Sequence, residues 1–435
     1  MTFSTIAFPL TVPDLSFEED GVLGRRSILP GGVRLLTEHV PGQRSVALGF
    51  WVGAGSRDEA AGAEGSTHFL EHLLFKGTST RSSLDISTLG DFLGGTLNAA
   101  TARQYTCYYG RVFATDVPQL LALLVDMFTD STLDPQQMET ERGVILEELA
   151  ASEDDVSEVA ENAILPMIFG SHPLARPVGA TMDVVRSLDY RHMIEHYRSV
   201  YQPQELVVTA AGDVNHDQLR DLLLELLGER WQLDEAADPR PRRRVEDLIF
   251  TSGGERLIEH PGRQSAVVVG MPGLALSSSE EFTFYTLTTI LGGGTSSRLF
   301  QEVREQHGLA YSTYAWGLSW LEGGVAAMEA ACAPENAQAV AAMMGECLDS
   351  LAHDGVTQQE IDTAFNQRRA QLTFAFEGNG FRRDRLGQAE LMRGELMSLE
   401  ESLTRSRAVT AADVQALAQK LATAPRSIVV AGPAV

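Results

Sequence analysis

Two stretches far apart in this chain share one pattern. RLLTEHVPGQRSVALGFWVGAG fills positions 34–55 and ERLIEHPGRQSAVVVGMPGLAL fills 255–276. Each reads as strand, Pro-Gly turn, strand, the opening of a hairpin. Each is followed by a helical segment that ends in glycine, STHFLEHLLFKG in the first copy and EFTFYTLTTILGG in the second. Matching the terminal glycines sets Thr283, Thr286 and Leu287 opposite His68, Glu71 and His72. A chain that repeats such a unit is constrained to two domains of like architecture. Its 435 residues exceed one hydrophobic core and suit two domains of about 200 residues each. LDEAADPRPRRRV, at 233–245, is polar and punctuated by proline, and reads as a linker. The expected boundaries are therefore 1–232 for the first domain and 246–435 for the second. Alternating strands such as TCYYGRVF, ELVVTAAGDV and RSIVVAG mix with helical stretches such as HDQLRDLLLELLGE and AADVQALAQKLA. That mixture predicts an α+β fold, each half a mainly antiparallel sheet packed with helices.

Composition narrows the function. The formal charge of −25 disfavours nucleic acid, whose phosphates call for basic patches. The same acidity reads either as solubility or as a surface that attracts basic peptides. No apolar run approaches the ~18 residues that span a bilayer. The opening MTFSTIAFPLTVPDLSFEED carries Asp14, Glu18, Glu19 and Asp20 and no basic residue. It lacks the basic start of a secretory or mitochondrial leader, and a cytoplasmic protein is expected. Cys107, Cys332 and Cys347 are widely spaced, form no CxxC pair, and read as core residues in a reduced compartment.

The segment STHFLEHLLFKGT, 66–78, carries the chemistry. Residues four apart in a helix are separated by about 400° of rotation, so His68 and His72 share a face. Glu71 lies about 100° from His72, on the adjoining edge. Two imidazoles one turn apart can hold one zinc ion, and a neighbouring carboxylate can reach a water on that ion. The order His-x-x-Glu-His is that of the inverzincins. Catalytic zinc takes a third protein ligand, and DPQQMETERGVILEEL, from Asp134, offers candidates. Asp134 is a suitable N-cap and Pro135 suits the first helical turn. Glu141 and Glu148, seven apart, line one face. They read either as solvated glutamates or, with Val144, Ile145 and Leu149 interleaved, as part of an inward face.

His68-x-x-Glu71-His72, followed after 75 residues by Glu148, resembles the pitrilysin family of zinc peptidases. The likeness is greatest to the branch of the mitochondrial processing peptidase β subunit and its bacterial relatives. GSTHFLEHLLFKGT, GGTLNAATARQYTCYY, ERGVILEEL and GGGTSSRLFQEVREQHGLAYSTYA resemble family signatures, in the family's order. The resemblance implies one zinc per chain on His68, His72 and Glu148. It implies Glu71 as general base and Glu141 as a supporting acid. Asn98 and Ala99 would lie on an edge strand that pairs with substrate backbone, and Arg304 and Tyr311 would contact substrate. It further implies a clam-like dimer of such chains, most simply a homodimer, whose closed chamber admits unfolded or presequence-like peptides. Two departures stand out: Glu205, where the family usually has Asn, and Gln104, where an acidic residue is common. The competing reading is a non-catalytic or partner-dependent subunit of a heterodimer with an inactive paralogue. Such subunits have a degraded zinc motif, whereas every implied ligand and the base are present here.

Overall fold

The computed structural model describes residues 4–243 and 248–434, so the last two residues of the expected linker, Arg244 and Val245, lie outside the described residues. The chain divides into two compact units. The first comprises 1–149, 177–244 and 373–401, and the second 150–176, 245–372 and 402–435.

In the first unit, strands are β1 Thr5–Ala7, β2 Asp14–Glu19, β3 Val22–Ile28, β4 Arg34–His39, β5 Ser45–Val52, β6 Thr96–Thr101, β7 Thr106–Phe113 and β8 Val207–Gly212. Seven of them form one sheet in the order β2-β3-β4-β8-β5-β7-β6. Only β4 and β8 pair in parallel; every other neighbouring pair is antiparallel. In the second unit the strands are β9 Gly254–Glu259, β10 Ser265–Gly273, β11 Ala310–Ser319, β12 Gly324–Cys332 and β14 Ser427–Gly432. Their order is β11-β12-β10-β14-β9, with β14 and β9 the one parallel pair. Read backwards, this is the order of β4-β8-β5-β7-β6. The duplication is therefore one of topology, and the sheets are mainly antiparallel as expected.

The expected hairpins do not form. β4 and β5 are separated by β8, and β9 and β10 by β14. The reason lies in the inserted strands. VVTAAG of β8 is buried at every position, and SIVVAG of β14 is apolar along most of its length. A strand apolar at every position is one buried on both faces, as the interior of a covered sheet provides. The Pro-Gly turns thus open to admit the strand that closes each copy.

The compact units also depart from the expected boundaries at 232 and 246. The Val156–Phe169 helix packs its Ala160, Ile164 and Ile168 against Ala266, Val268 and Val429 of the second sheet. The short strand β13, Glu395–Met397, pairs with β1, and Leu386, Leu391 and Leu396 pack with Leu36, Trp51 and Val207 of the first sheet. One face of each sheet is covered by a segment that is distant in sequence, which local patterning does not reveal. The three cysteines are buried and unpaired, and burial raises each thiol pKa.

Candidate metal centre

The histidines sit on the Ser66–Leu73 helix. Phe69, Leu70 and Leu73 anchor its inner face and are no more than 1% exposed. Gly65 starts the helix at φ 88°, a left-handed conformation that favours glycine. No side chain of Gly65 can cap the helix, so Glu59 does. Its carboxylate accepts the Gly65 and Thr67 amides at 2.8 and 2.7 Å. An acidic group at a helix N-terminus also meets the positive end of the dipole. Thr67 is held from below by His196 Nε2 at 3.2 Å. Burial lowers the His196 pKa to about 4, so this imidazole is neutral at physiological pH.

The second element is the Pro135–Asp154 helix. Ile145 is fully buried and Glu141 is 3% exposed, while Val144 is 42% exposed. The inward face thus runs through Met138, Glu141 and Ile145 and excludes Val144, contrary to the sequence expectation. At about 100° per residue Val144 lies about 100° from Ile145, on the solvent side. Glu148 is at the rim, its side chain 49% exposed.

These helices bring His68, His72 and Glu148 together. Glu148 Oε2 lies 3.8 Å from His68 Nε2 and 3.6 Å from His72 Nε2. One ligand atom from each of the three falls within 4.8 Å of the others. Tetrahedral zinc with bonds of about 2.0–2.1 Å needs donors roughly 3.4 Å apart, and two imidazoles with a carboxylate form a known catalytic donor set. The cluster fits such an ion with small side-chain adjustments. Burial, reinforced by His72, lowers the His68 pKa and so favours the neutral, ligating form. His72 Nδ1 contacts Glu141 Oε2 at 3.1 Å. With the proton on Nδ1, the lone pair of Nε2 is left for a metal. His68 Nδ1 is buried without a hydrogen-bond partner.

Glu71 accepts a hydrogen bond from Thr101 Oγ1, at the end of β6. β6 is an edge of the first sheet. On it, Asn98 is exposed and Ala99 buried, and the Asn98 side chain accepts the Ala99 amide at 2.9 Å. In the second unit, Tyr311 is 75% exposed and the Arg304 guanidinium lies 5.4 Å from its ring centroid. Glu205 pairs with Arg240 at 2.7 Å in the first unit.

Sequence reasoning passed over four contributors: Glu59, Lys76, Thr101 and Gly179. Lys76 Nζ lies 2.8 Å from Glu141 Oε1. A Cβ built on Gly179 would come within 3.4 Å of His68 Nδ1 and 3.3 Å of Leu149. Lys76 could have been found, since it continues the four-residue spacing of His68 and His72. The other three reach the site only through the fold.

A pair of histidines and a carboxylate from two helices, on a duplicated α+β fold, defines a candidate metallohydrolase centre. Comparison with known proteins makes the class specific. Residues 34–182 match the family described as insulinase (peptidase family M16), and residues 187–368 match the peptidase M16 inactive domain. An uncharacterized zinc protease of Streptomyces coelicolor is 40% identical over 410 residues, covering 94% of this chain and 89% of that protein. The uncharacterized zinc protease YmxG of Bacillus subtilis is 31% identical, covering 94% and 98%. The chain belongs to the M16 peptidase family. The fold agrees with two crystal structures. One is a peptidase M16 inactive domain from Pseudomonas fluorescens, with TM-score 0.86, 18% identity and coverage of 95% of this chain and 98% of that one. The other is a protease from Helicobacter pylori, with TM-score 0.86, 20% identity and coverage of 94% and 99%. Among the described residues, no helix is long and apolar enough to cross a membrane.

Proposed function

We propose that this chain is a zinc-dependent endopeptidase that hydrolyses unfolded or presequence-like peptides, with one zinc on His68, His72 and Glu148. The observation that carries the reading is the convergence of those three donors beside Glu71. When bound, zinc supplies a Lewis acid and a hydrolytic nucleophile at neutral pH. Glu71 is the general base. It takes the proton from the attacking water and delivers it to the departing amine, a role that contributes about 10²–10⁴-fold. Thr101 engages one oxygen of Glu71 and leaves the other for the proton. Glu141 supports His72 from behind.

The β6 edge offers main-chain groups to an extended peptide, with Asn98 and Ala99 at the contact. Edge pairing reads backbone rather than side chains and suits broad specificity. Arg304 and Tyr311 are assigned to substrate. Arg304 would hold a carbonyl, and Tyr311 would donate to the developing oxyanion, a contribution of order 10²–10³ in turnover. A homodimer is the simplest assembly, and its test is the mass of the purified chain in solution.

Cleavage of a quenched fluorescent peptide library by the purified chain, with and without a zinc chelator, tests the function. Chelator-sensitive cleavage that Glu71→Gln abolishes while zinc stays bound is expected. Wild-type cleavage by Glu71→Gln would remove Glu71 as the base.

A further inference from the structure

We propose that Lys76 is a positioning residue of the metal centre: through Glu141 it fixes His72 and thereby sets zinc affinity. This inference rests on the reading of His68, His72 and Glu148 as zinc ligands.

Lys76 follows His72 by four residues, as His72 follows His68. The Ser66–Leu73 helix runs on as a tighter turn, with Phe75 N bonded to His72 O at 3.1 Å and Lys76 N to Leu73 O at 3.0 Å. Lys76 thus lies just past the helix, and its contacts rather than helical spacing place its ammonium on the histidine side. It meets Glu141 Oε1 at 2.8 Å, while Glu141 Oε2 meets His72 Nδ1 at 3.1 Å. The carboxylate thus bridges the cation and the imidazole, one oxygen to each. Glu141 is 3% exposed. A buried carboxylate requires a charged or hydrogen-bonding partner. Arg142, its chain neighbour, does not serve: it is directed to Glu139 and to the Val185 and Leu188 carbonyls.

The ordinary alternative is a surface ion pair of little consequence. The burial of Glu141 and its second contact argue against it. A carboxylate held on both oxygens has one orientation, and that orientation directs the His72 ring. Partners behind a ligating histidine typically alter metal affinity about 10–100-fold. The readings predict different outcomes: a pair of little consequence leaves zinc affinity unchanged when Lys76 is removed. A lysine that acted only as a positive charge near a dication would oppose binding, so its removal would tighten the site.

The test is zinc affinity of the full-length apo chain, measured by competition with a chromophoric chelator, which requires no substrate. Lys76→Met should weaken zinc binding about tenfold or more, with Lys76→Arg close to wild type. Glu141→Gln should weaken it similarly, and adding Lys76→Met to Glu141→Gln should cost little more, because both act through one contact. Thermal unfolding of each apo variant separates this from misfolding, and Lys76→Gln replaces Lys76→Met if the latter does not fold. Wild-type or tighter affinity in Lys76→Met, with zinc binding still lost in His68→Ala, overturns the inference alone. Zinc affinity unaffected by His68→Ala overturns the ligand assignment and this inference with it.

Discussion

Glu390 holds a segment that has crossed the expected domain boundary, and removing its charge tests how that segment is anchored. It is fully buried, on the turn Ala389–Arg393 that returns to the first unit. Arg242 Nη2 reaches it at 3.0 Å, Arg34 Nη1 at 3.8 Å and Arg26 Nε at 3.9 Å. The side chains of Arg26 and Arg34 are 0% and 2% exposed. Burial raises the Glu390 pKa, and the three guanidinium groups oppose that shift. Burial also lowers the Arg34 pKa to about 10. Glu390→Ala removes the largest favourable charge acting on Arg26 and Arg34, leaving them the weaker influence of Asp14 and Glu205, and breaking a buried pair costs about 3–5 kcal/mol. Arg26 keeps the Pro9 carbonyl at 2.6 Å, and Arg34 keeps the Glu205 carbonyl at 3.0 Å, which sets the loss near the lower end. About 3 kcal/mol in a unit of this size lowers Tm by roughly 6–12 °C. Calorimetry of Glu390→Ala beside wild type measures it, with Glu390→Gln expected between the two. A Glu390→Ala Tm within about 1 °C of wild type would refute the idea that this charge anchors the segment.

Two further outcomes follow from individual contacts and a third from the net charge. Thr101→Val removes the donor that orients Glu71; kcat should fall about 10- to 150-fold with KM and zinc content unchanged, since a hydrogen bond to a charged group is worth about 1.5–3 kcal/mol, and Thr101→Ser should restore it. Glu161, in the second unit, has its pKa raised from 4.5 to about 7 by burial and by Glu329. The folded state therefore holds a proton that the unfolded state releases, so stability should decline as pH rises from about 4.5 to 7. Glu161→Gln should flatten that decline in urea midpoints measured across this range, and an unchanged slope would exclude Glu161 as its source. If the charge of −25 steers substrate, kcat/KM for a Lys-rich peptide should exceed that for a matched Glu-rich peptide, and the ratio should shrink with salt.

Periodicity was enough to locate the helices that bear the candidate ligands. The four-residue spacing of His68 and His72 and the seven-residue spacing of Glu141 and Glu148 are local properties of one helix each. Strand content was legible for the same reason, from apolar and β-branched runs. Pairing was not. β8 enters between β4 and β5 from far along the chain, and no local signal distinguishes an opened pair from a closed hairpin. The exchange of 156–169 and 379–397 was hidden likewise, because an apolar helix face records that it is covered and not by what. At the site, Glu59 reads as a loop acid until the fold brings it to the Gly65 and Thr67 amides. Val144 was misread because interleaving along a sequence is not the same as sharing an arc of a helix.

The duplication sharpens what zinc should do. In the second copy the Glu281–Gly292 helix follows β10 and precedes β11, as the Ser66–Leu73 helix follows β5 and precedes β6. There Leu287 is 1% exposed within the core, and the Thr286 hydroxyl is satisfied by the Phe282 carbonyl at 2.9 Å. The first copy instead brings His68 and His72 of the corresponding helix to Glu148 of the Pro135–Asp154 helix, and leaves His68 Nδ1 buried without a hydrogen-bond partner. One copy is thus complete as folded, whereas the other concentrates polar groups that gain from a cation. Zinc at 100 times its Kd should stabilise the state that binds it by about 2.7 kcal/mol. Because the proposed ligands belong to one compact unit, added protection from hydrogen exchange should concentrate in 66–76 and 135–149 and leave 281–292 nearly unchanged. Equal protection of both helices would mean that the ion is not held by this cluster alone, and no protection of either would remove the cluster as its site.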